Sequence, residues 1–257
     1  MNAELSLAAV DTLWEDLRLG RFPFPLEVRS HGDSLDVRAR IKAAVYADLG
    51  RRGLAQGSRP DDDLVEDLRL LADPAVCIDL VALLDMTGTD PVRAVAVARG
   101  RRGLLVVQGK LAVSFSRMRD TTIAGALVEL LPDTRAALGS SITQPAAAVS
   151  ANQPKHRRAQ PGGVLRTAAP RDMADSKLRA IAAIMEKPVR RAGQVGVTLT
   201  DETGKRHRQP GIAWFDTDDG RYATTMTRGR DGEDWVTLWP ADNTRLTHRL
   251  SETIARG

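Results

Sequence analysis

The sequence predicts an α+β protein: a central, mainly antiparallel sheet flanked by helices and organised as two pseudo-symmetric halves. Three observations lead there. Apolar residues recur at helical spacing toward the ends of each half. Between them lie short alternating or β-branched runs separated by glycine-bearing turns. The order helix, strands, helix occurs twice, on either side of a proline-rich segment at 139–170. The expected organisation is one domain spanning 1–257, with an N-terminal half 1–138, a linker 139–170 and a C-terminal half 171–257.

In the first half, Leu5, Ala9, Leu13 and Leu17 fall every fourth residue beside Val10 and Trp14, which predicts an amphipathic helix ending at Gly20. The two prolines of RFPFPLEVRS forbid helix and suggest an extended lead-in to a short strand. Val37, Ile41, Val45 and Leu49 give a second helix, stopped by GRRG. A third follows RPDDD, where an aspartate can cap free amides and Leu64, Val65, Leu68 and Leu71 form the stripe. AVCIDLVALL, VRAVAVARG, LLVVQG and LAVSFSRM then read as a strand meander. DTTIAGALVELLP closes the half as a helix, with Ile123, Leu127 and Leu130 on one face.

The segment 139–170 holds four prolines and little apolar periodicity, the composition of a mobile linker. Beyond it, Leu178, Ile181, Ala182 and Met185 mark a helix. Strands follow at QVGVTLTD, PGIAWFD, RYATTMT and DWVTLW, and Leu246, Leu250 and Ile254 mark a last helix.

Composition narrows the functional classes. A hydrophobic content of 42% with 27% charged residues is that of a globular chain. The formal charge is +4, but only six of the 37 basic residues are lysine and almost as many acids are scattered among them. That arginine bias is a signature of a GC-rich genome rather than of a phosphate-binding face. Cys77 has no second cysteine to pair with. The opening residues carry acids where a signal peptide needs positive charge, and no apolar run approaches the ~20 residues of a membrane span, so a cytoplasmic, non-inserted chain is expected.

The stretch GIAWFDTDDGRYATTM, at 211–226, sets three aspartates and a glycine between two apolar and β-branched runs. Counted from Asp216, an EF-hand would need a side-chain ligand where Gly220 stands and a glutamate at position 12, and it has neither. Asp219-Gly220 between apolar runs instead signals a hairpin turn. The GxxG of RGRRGLL lies between two expected strands and reads as a turn rather than an RNA clamp. His31, His156, His207 and His248 are isolated, and phosphate-cradle and nucleophile-elbow patterns are missing. Acidic pairs such as Asp61–Asp63 sit at helix starts, where capping accounts for them. The expectation is a non-enzymatic protein without catalytic residues, metal or cofactor. The competing readings are a basic nucleic-acid-binding regulator using GKRHRQ and KHRR, and an enzyme with an unmotifed acidic site.

LWEDLRLGRFPFPLEVRSHG, DTDDGRYATT with DGEDWVTLWPAD, and RLTHRLSETIARG resemble the EspG family of ESX (type VII) secretion-associated proteins in mycobacteria and related actinobacteria. The resemblance runs over nearly the whole chain. It implies a cytosolic chaperone that binds the tip of helical PE–PPE heterodimers and keeps them soluble for export. It also implies an α+β fold of two pseudo-symmetric halves. The cargo signal Y-x-x-x-[DE] is not matched, since Gly50 follows Tyr46 and Met226 follows Tyr222 at that spacing.

The resemblance places partner contacts on the sheet and adjoining C-terminal helices. Strand alternation sets Trp235, Thr237 and Trp239 against Val236 and Leu238. The expected partner-binding residues are Tyr222, Trp235 and Trp239 as aromatic anchors, Met226 as an adaptable neighbour, and Arg221 and Arg228 as rim charges toward an acidic helix tip. Burial of both faces under helices is the competing reading of the same alternation.

Overall fold

The computed structural model describes residues 2–151 and 172–256. Ten strands form one continuous antiparallel sheet, and an eleventh short strand pairs on its side. In chain order the first half contributes β1 (Asn2–Ser6), α1 (Leu7–Asp16), α2 (Leu35–Arg51), the small hairpin β2 (Ala55–Gln56) and β3 (Arg59–Pro60), and α3 (Asp62–Ala72). The meander β4 (Val76–Leu83), β5 (Val92–Arg99), β6 (Arg102–Gln108) and β7 (Ala112–Arg119) follows, then α4 (Ile123–Val128). The second half contributes β8 (Ile142–Pro145), α5 (Ala146–Ala151), α6 (Asp172–Met185), β9 (Arg191–Thr200), β10 (Arg206–Arg208), β11 (Ile212–Thr217), β12 (Gly220–Arg228), β13 (Asp234–Ala241) and α7 (Asn243–Arg256).

The strand order β1-β7-β6-β5-β4-β9-β11-β12-β13-β8 reads the same from either end. Each half begins with an edge strand, β1 or β8, that pairs with the last strand of its own meander, β7 or β13. The halves join where β4 pairs antiparallel with β9, from Val76↔Leu199 to Leu83↔Ala192. The two pseudo-symmetric halves expected from the sequence are therefore present, with more in each than the sequence showed.

Three expectations need correction. The stripe Leu5–Leu17 is not one helix: Leu5 lies in β1, and α1 starts after Ser6, whose side chain caps Ala9 N at 3.1 Å. Leu5 still reaches the same core as Leu13, because strand alternation turns Ala3 and Leu5 inward. The short strand expected at RFPFPLEVRS does not form. The segment 139–170 is not all linker, since β8 and α5 occupy its first part, and the rest of that expectation, 152–170, lies outside the described residues. A four-residue edge strand has too few residues for alternation to be visible, and only its partner β13 defines it.

The sheet buries both faces. On one, Ile78, Leu80, Ala82, Ala94, Ala96, Val195, Val197 and Trp214 pack against α4 and α7 through Ile123, Leu127, Leu246 and Leu250. Small alanines on β5 let the short α4 approach closely. On the opposite face, α1, α2 and α3 cover β5, β6 and β7 through Val95, Val97, Leu104, Val106 and Phe115. On that same face of the second half, Ile181 of α6 packs on Tyr222, Leu238 and Phe215.

The hairpin expected at Asp219-Gly220 is shifted by one residue. Thr217 pairs with Gly220, so Asp218 and Asp219 make the turn. Gly220 carries the positive φ of 124°. A Cβ there would meet Arg135 O at 2.6 Å and Ala137 N at 2.8 Å, so glycine is required by the segment crossing above it.

Candidate partner-binding surface

The register decides which expected contact residues share a face. Thr227 pairs with Trp235 and Ala223 with Trp239, whereas Tyr222 pairs with Pro240, Met226 with Val236 and Arg228 with Asp234. Trp235, Trp239 and Arg221 therefore lie on the α7 side. Tyr222, Met226 and Arg228 lie on the α6 side. The structure does not bring the six into one groove.

Two of the six are interior. Arg221 is 0% exposed, and its Nε and Nη2 donate to the Asp216 carboxylate at 2.6 and 3.0 Å. Nη2 also donates to Pro132 O at 3.0 Å, Nη1 to the Asn243 side chain, and the guanidinium lies 4.6 Å over Trp214. This group locks the segment after α4 and the start of α7 to β11 and β12, and it is no rim charge. Tyr222 is buried and stacked on Phe215 at 5.6 Å, so it is core rather than an anchor.

The other four are accessible. Trp239 is half-buried and lines a cleft of about 700 Å³ between β12–β13 and α7, floored by Thr225, Thr227 and Thr237 and walled by Arg245 and Arg249. Trp235 lies over the next hairpin, where a Cβ on Gly229 would meet its Nε1 at 2.8 Å. Met226 and Arg228 are exposed on the opposite face.

That opposite face contains a wider opening. Helices α1–α3 cover β5–β7 and α6 covers β12–β13 and the Phe215 end of β11, which leaves β4, β9 and the start of β11 between them. Val81, Gln194, Ala213 and Thr224 stand in one row across the gap by register, with Gln194 and Ala213 exposed. Four strand spacings from β5 to β12 make the gap roughly 19 Å wide, enough for a helix of about 10–12 Å diameter. Met226 sits at its C-terminal-half rim.

A charge stands in this trough that sequence reading did not single out. Arg208 crosses from β10 over Gly196 and pairs with buried Asp79 on β4, Nη2 donating to Oδ1 at 3.0 Å. A Cβ at 196 would fall inside the guanidinium, so Gly196 is what lets Arg208 reach across β9. The available signal was a glycine inside a β-branched run, which marks a close approach in a strand.

Cys77 lies beside Asp79 on this face. Burial first, and then the Asp79 carboxylate, push its thiol up to about 12. At pH 8 iodoacetamide should therefore alkylate native Cys77 on the order of a hundredfold more slowly than in the denatured chain. Equal rates would show that the thiol is open to solvent.

Among the described residues, no group of three or more His, Cys, Asp or Glu side chains is arranged to hold a metal ion, and no helix is long and apolar enough to cross a membrane. The basic GKRHRQ segment is largely engaged: Arg206 donates to Ala72 O at 3.1 Å, His207 meets Asp201 at 2.7 Å and Arg208 holds Asp79. The KHRR segment lies outside the described residues.

Fold and surface together define a class, a two-half α+β protein whose large sheet is left open between two helical layers. The chain belongs to the EspG family, whose model matches residues 6–252. In fold it is similar to the Mycobacterium tuberculosis type VII secretion system chaperone EspG5, solved in complex with a PE25-PPE41 dimer. That likeness has a TM-score of 0.70 at 12% identity and covers 99% of this chain and 96% of the other. No curated protein matches the sequence.

Proposed function

We propose that this protein is a cytosolic, non-enzymatic chaperone of a type VII secretion system, which binds the tip of a helical PE–PPE-type heterodimer and keeps it soluble for export. The observation that carries the reading is family membership over nearly the whole chain, together with a fold like that of a chaperone solved on a PE–PPE dimer. The physical task is to cover apolar residues at a helical tip that would otherwise aggregate. The sheet trough suits it better than the cleft at Trp239. Its row is Val81, Gln194, Ala213 and Thr224 with Met226 at the rim, whereas the cleft is floored by three threonines beside Trp239 and walled by Arg245 and Arg249. Apolar, adaptable side chains favour an apolar helix end.

Co-expression with a cognate PE–PPE-type pair should raise the soluble yield of that pair. Ala213→Arg and Met226→Glu, each on an exposed side chain, should abolish co-purification. A hot-spot loss is roughly 2 kcal/mol or more of binding, against a stability change within about 0.5 kcal/mol at an exposed site. Binding lost with Trp239→Ala and kept with Ala213→Arg would move the contact to the α7 cleft. Unchanged yield across several cognate pairs would reject the chaperone reading.

A further inference from the structure

Two basic stretches far apart in sequence, RGRRG at the β5–β6 turn and KRHR at β10, meet at the C-terminal end of α3. Arg69, Arg99, Arg102 and Arg206 surround a cavity of about 670 Å³ whose floor includes Leu19 and Leu70. Four guanidiniums face two carboxylates there, Glu66 and Asp73.

Part of this arrangement serves the fold. Arg99 Nε and Arg206 Nη2 donate to Asp73 O and Ala72 O at 3.0 and 3.1 Å, which satisfies carbonyls left free where α3 ends. Arg102 meets Glu66 at 2.5 Å and Arg99 meets the Asp73 carboxylate at 2.8 Å. The side chain of Arg69 has no such work: it is exposed and has no hydrogen-bond or ion-pair partner among the described residues. Each guanidinium offers five N–H donors, so the capping arginines also keep donors for a ligand.

We propose that this cleft is a second binding site, one that takes an acidic peptide segment of a protein partner with an apolar side chain between its carboxylates. Charge complementarity selects the carboxylates, and the planar fork of arginine holds them two-pronged. The leucine floor takes the apolar side chain. A nucleic acid is the poorer fit, because among the described residues no aromatic ring lines the cavity for base stacking and two carboxylates stand in its wall. The site is independent of what occupies the sheet trough, so either reading can fail alone.

The test uses the full chain and a fluorescein-labelled decapeptide of alternating glutamate and leucine, followed by anisotropy. A lysine-for-glutamate peptide and a twenty-nucleotide single-stranded DNA serve as comparisons. The glutamate peptide should bind, and the double variant R69E/R206E should weaken it about tenfold or more, with the Arg230→Glu variant unchanged. Circular dichroism melting reports whether the double variant folds, and Arg69→Gln alone, which disturbs no helix cap, should still weaken binding measurably. Equal binding of the lysine peptide, indifference to both Arg69 variants, or tighter binding of the DNA would overturn the proposal.

Discussion

Replacing Arg221 with methionine will lower folding stability by about 3–5 kcal/mol, the usual cost of removing one partner from a buried ion pair. The variant leaves the Asp216 carboxylate, which is 2% exposed, with only Thr134 at 3.1 Å and Arg191 at 3.6 Å as side-chain partners among the described residues. It also removes the guanidinium from Pro132 O and from the Asn243 Oδ1, which leaves Asn243 Nδ2 on Leu131 O at 3.3 Å as the remaining side-chain tie between the segment after α4 and the start of α7. Urea denaturation reads the loss directly. The double variant R221M/D216L should recover a large share of it, because no buried charge then remains without its partner. A loss below about 1 kcal/mol for Arg221→Met would mean that Arg191 takes over the pairing.

Tyr222→Ala should cost about 3–5 kcal/mol as well, by a different route. The ring is 3% exposed, stacks on Phe215, and fills the core with Ala137, Ile181 and Leu238. Its deletion opens a cavity under α6, and the expected signature is a large fall in melting temperature with partner binding reduced only through unfolding. Lost co-purification at an unchanged melting temperature would return Tyr222 to the contact surface and reject its placement in the core.

Much of the fold was legible. Long elements with a clear period, such as α2, α3 and the β4–β7 meander, stand where the pattern puts them, because burial of one face dictates side-chain spacing along the chain. Short elements were not legible. β10 has three residues, all exposed, and exists because Arg206, His207 and Arg208 pair with Thr200, Leu199 and Thr198. β1 hid inside a helical stripe because Leu5 satisfies both periods at once.

The candidate surface divided in the same way. Alternation within β13 put Trp235, Thr237 and Trp239 together, and they do share a face. Grouping Tyr222 and Met226 with them required knowing which β12 residue stands opposite which β13 residue. With Met226 opposite Val236, both fall on the far side. The sense of Arg221 also changed with context, since a lone arginine beside aspartates reads as a surface charge until Trp214, Asn243 and Pro132 close around it.

By itself the sequence determined the α+β class, the two-half order of elements and the resemblance to the EspG family, because these rest on local spacing and on residues contiguous in the chain. Only the tertiary structure decided the register across β12 and β13, the open sheet between the helical layers, the span of Arg208 over Gly196 and the meeting of Arg69, Arg99, Arg102 and Arg206. Each of those depends on contacts between residues distant along the chain, whose pairing is set by how whole elements pack and not by the pattern within any one of them.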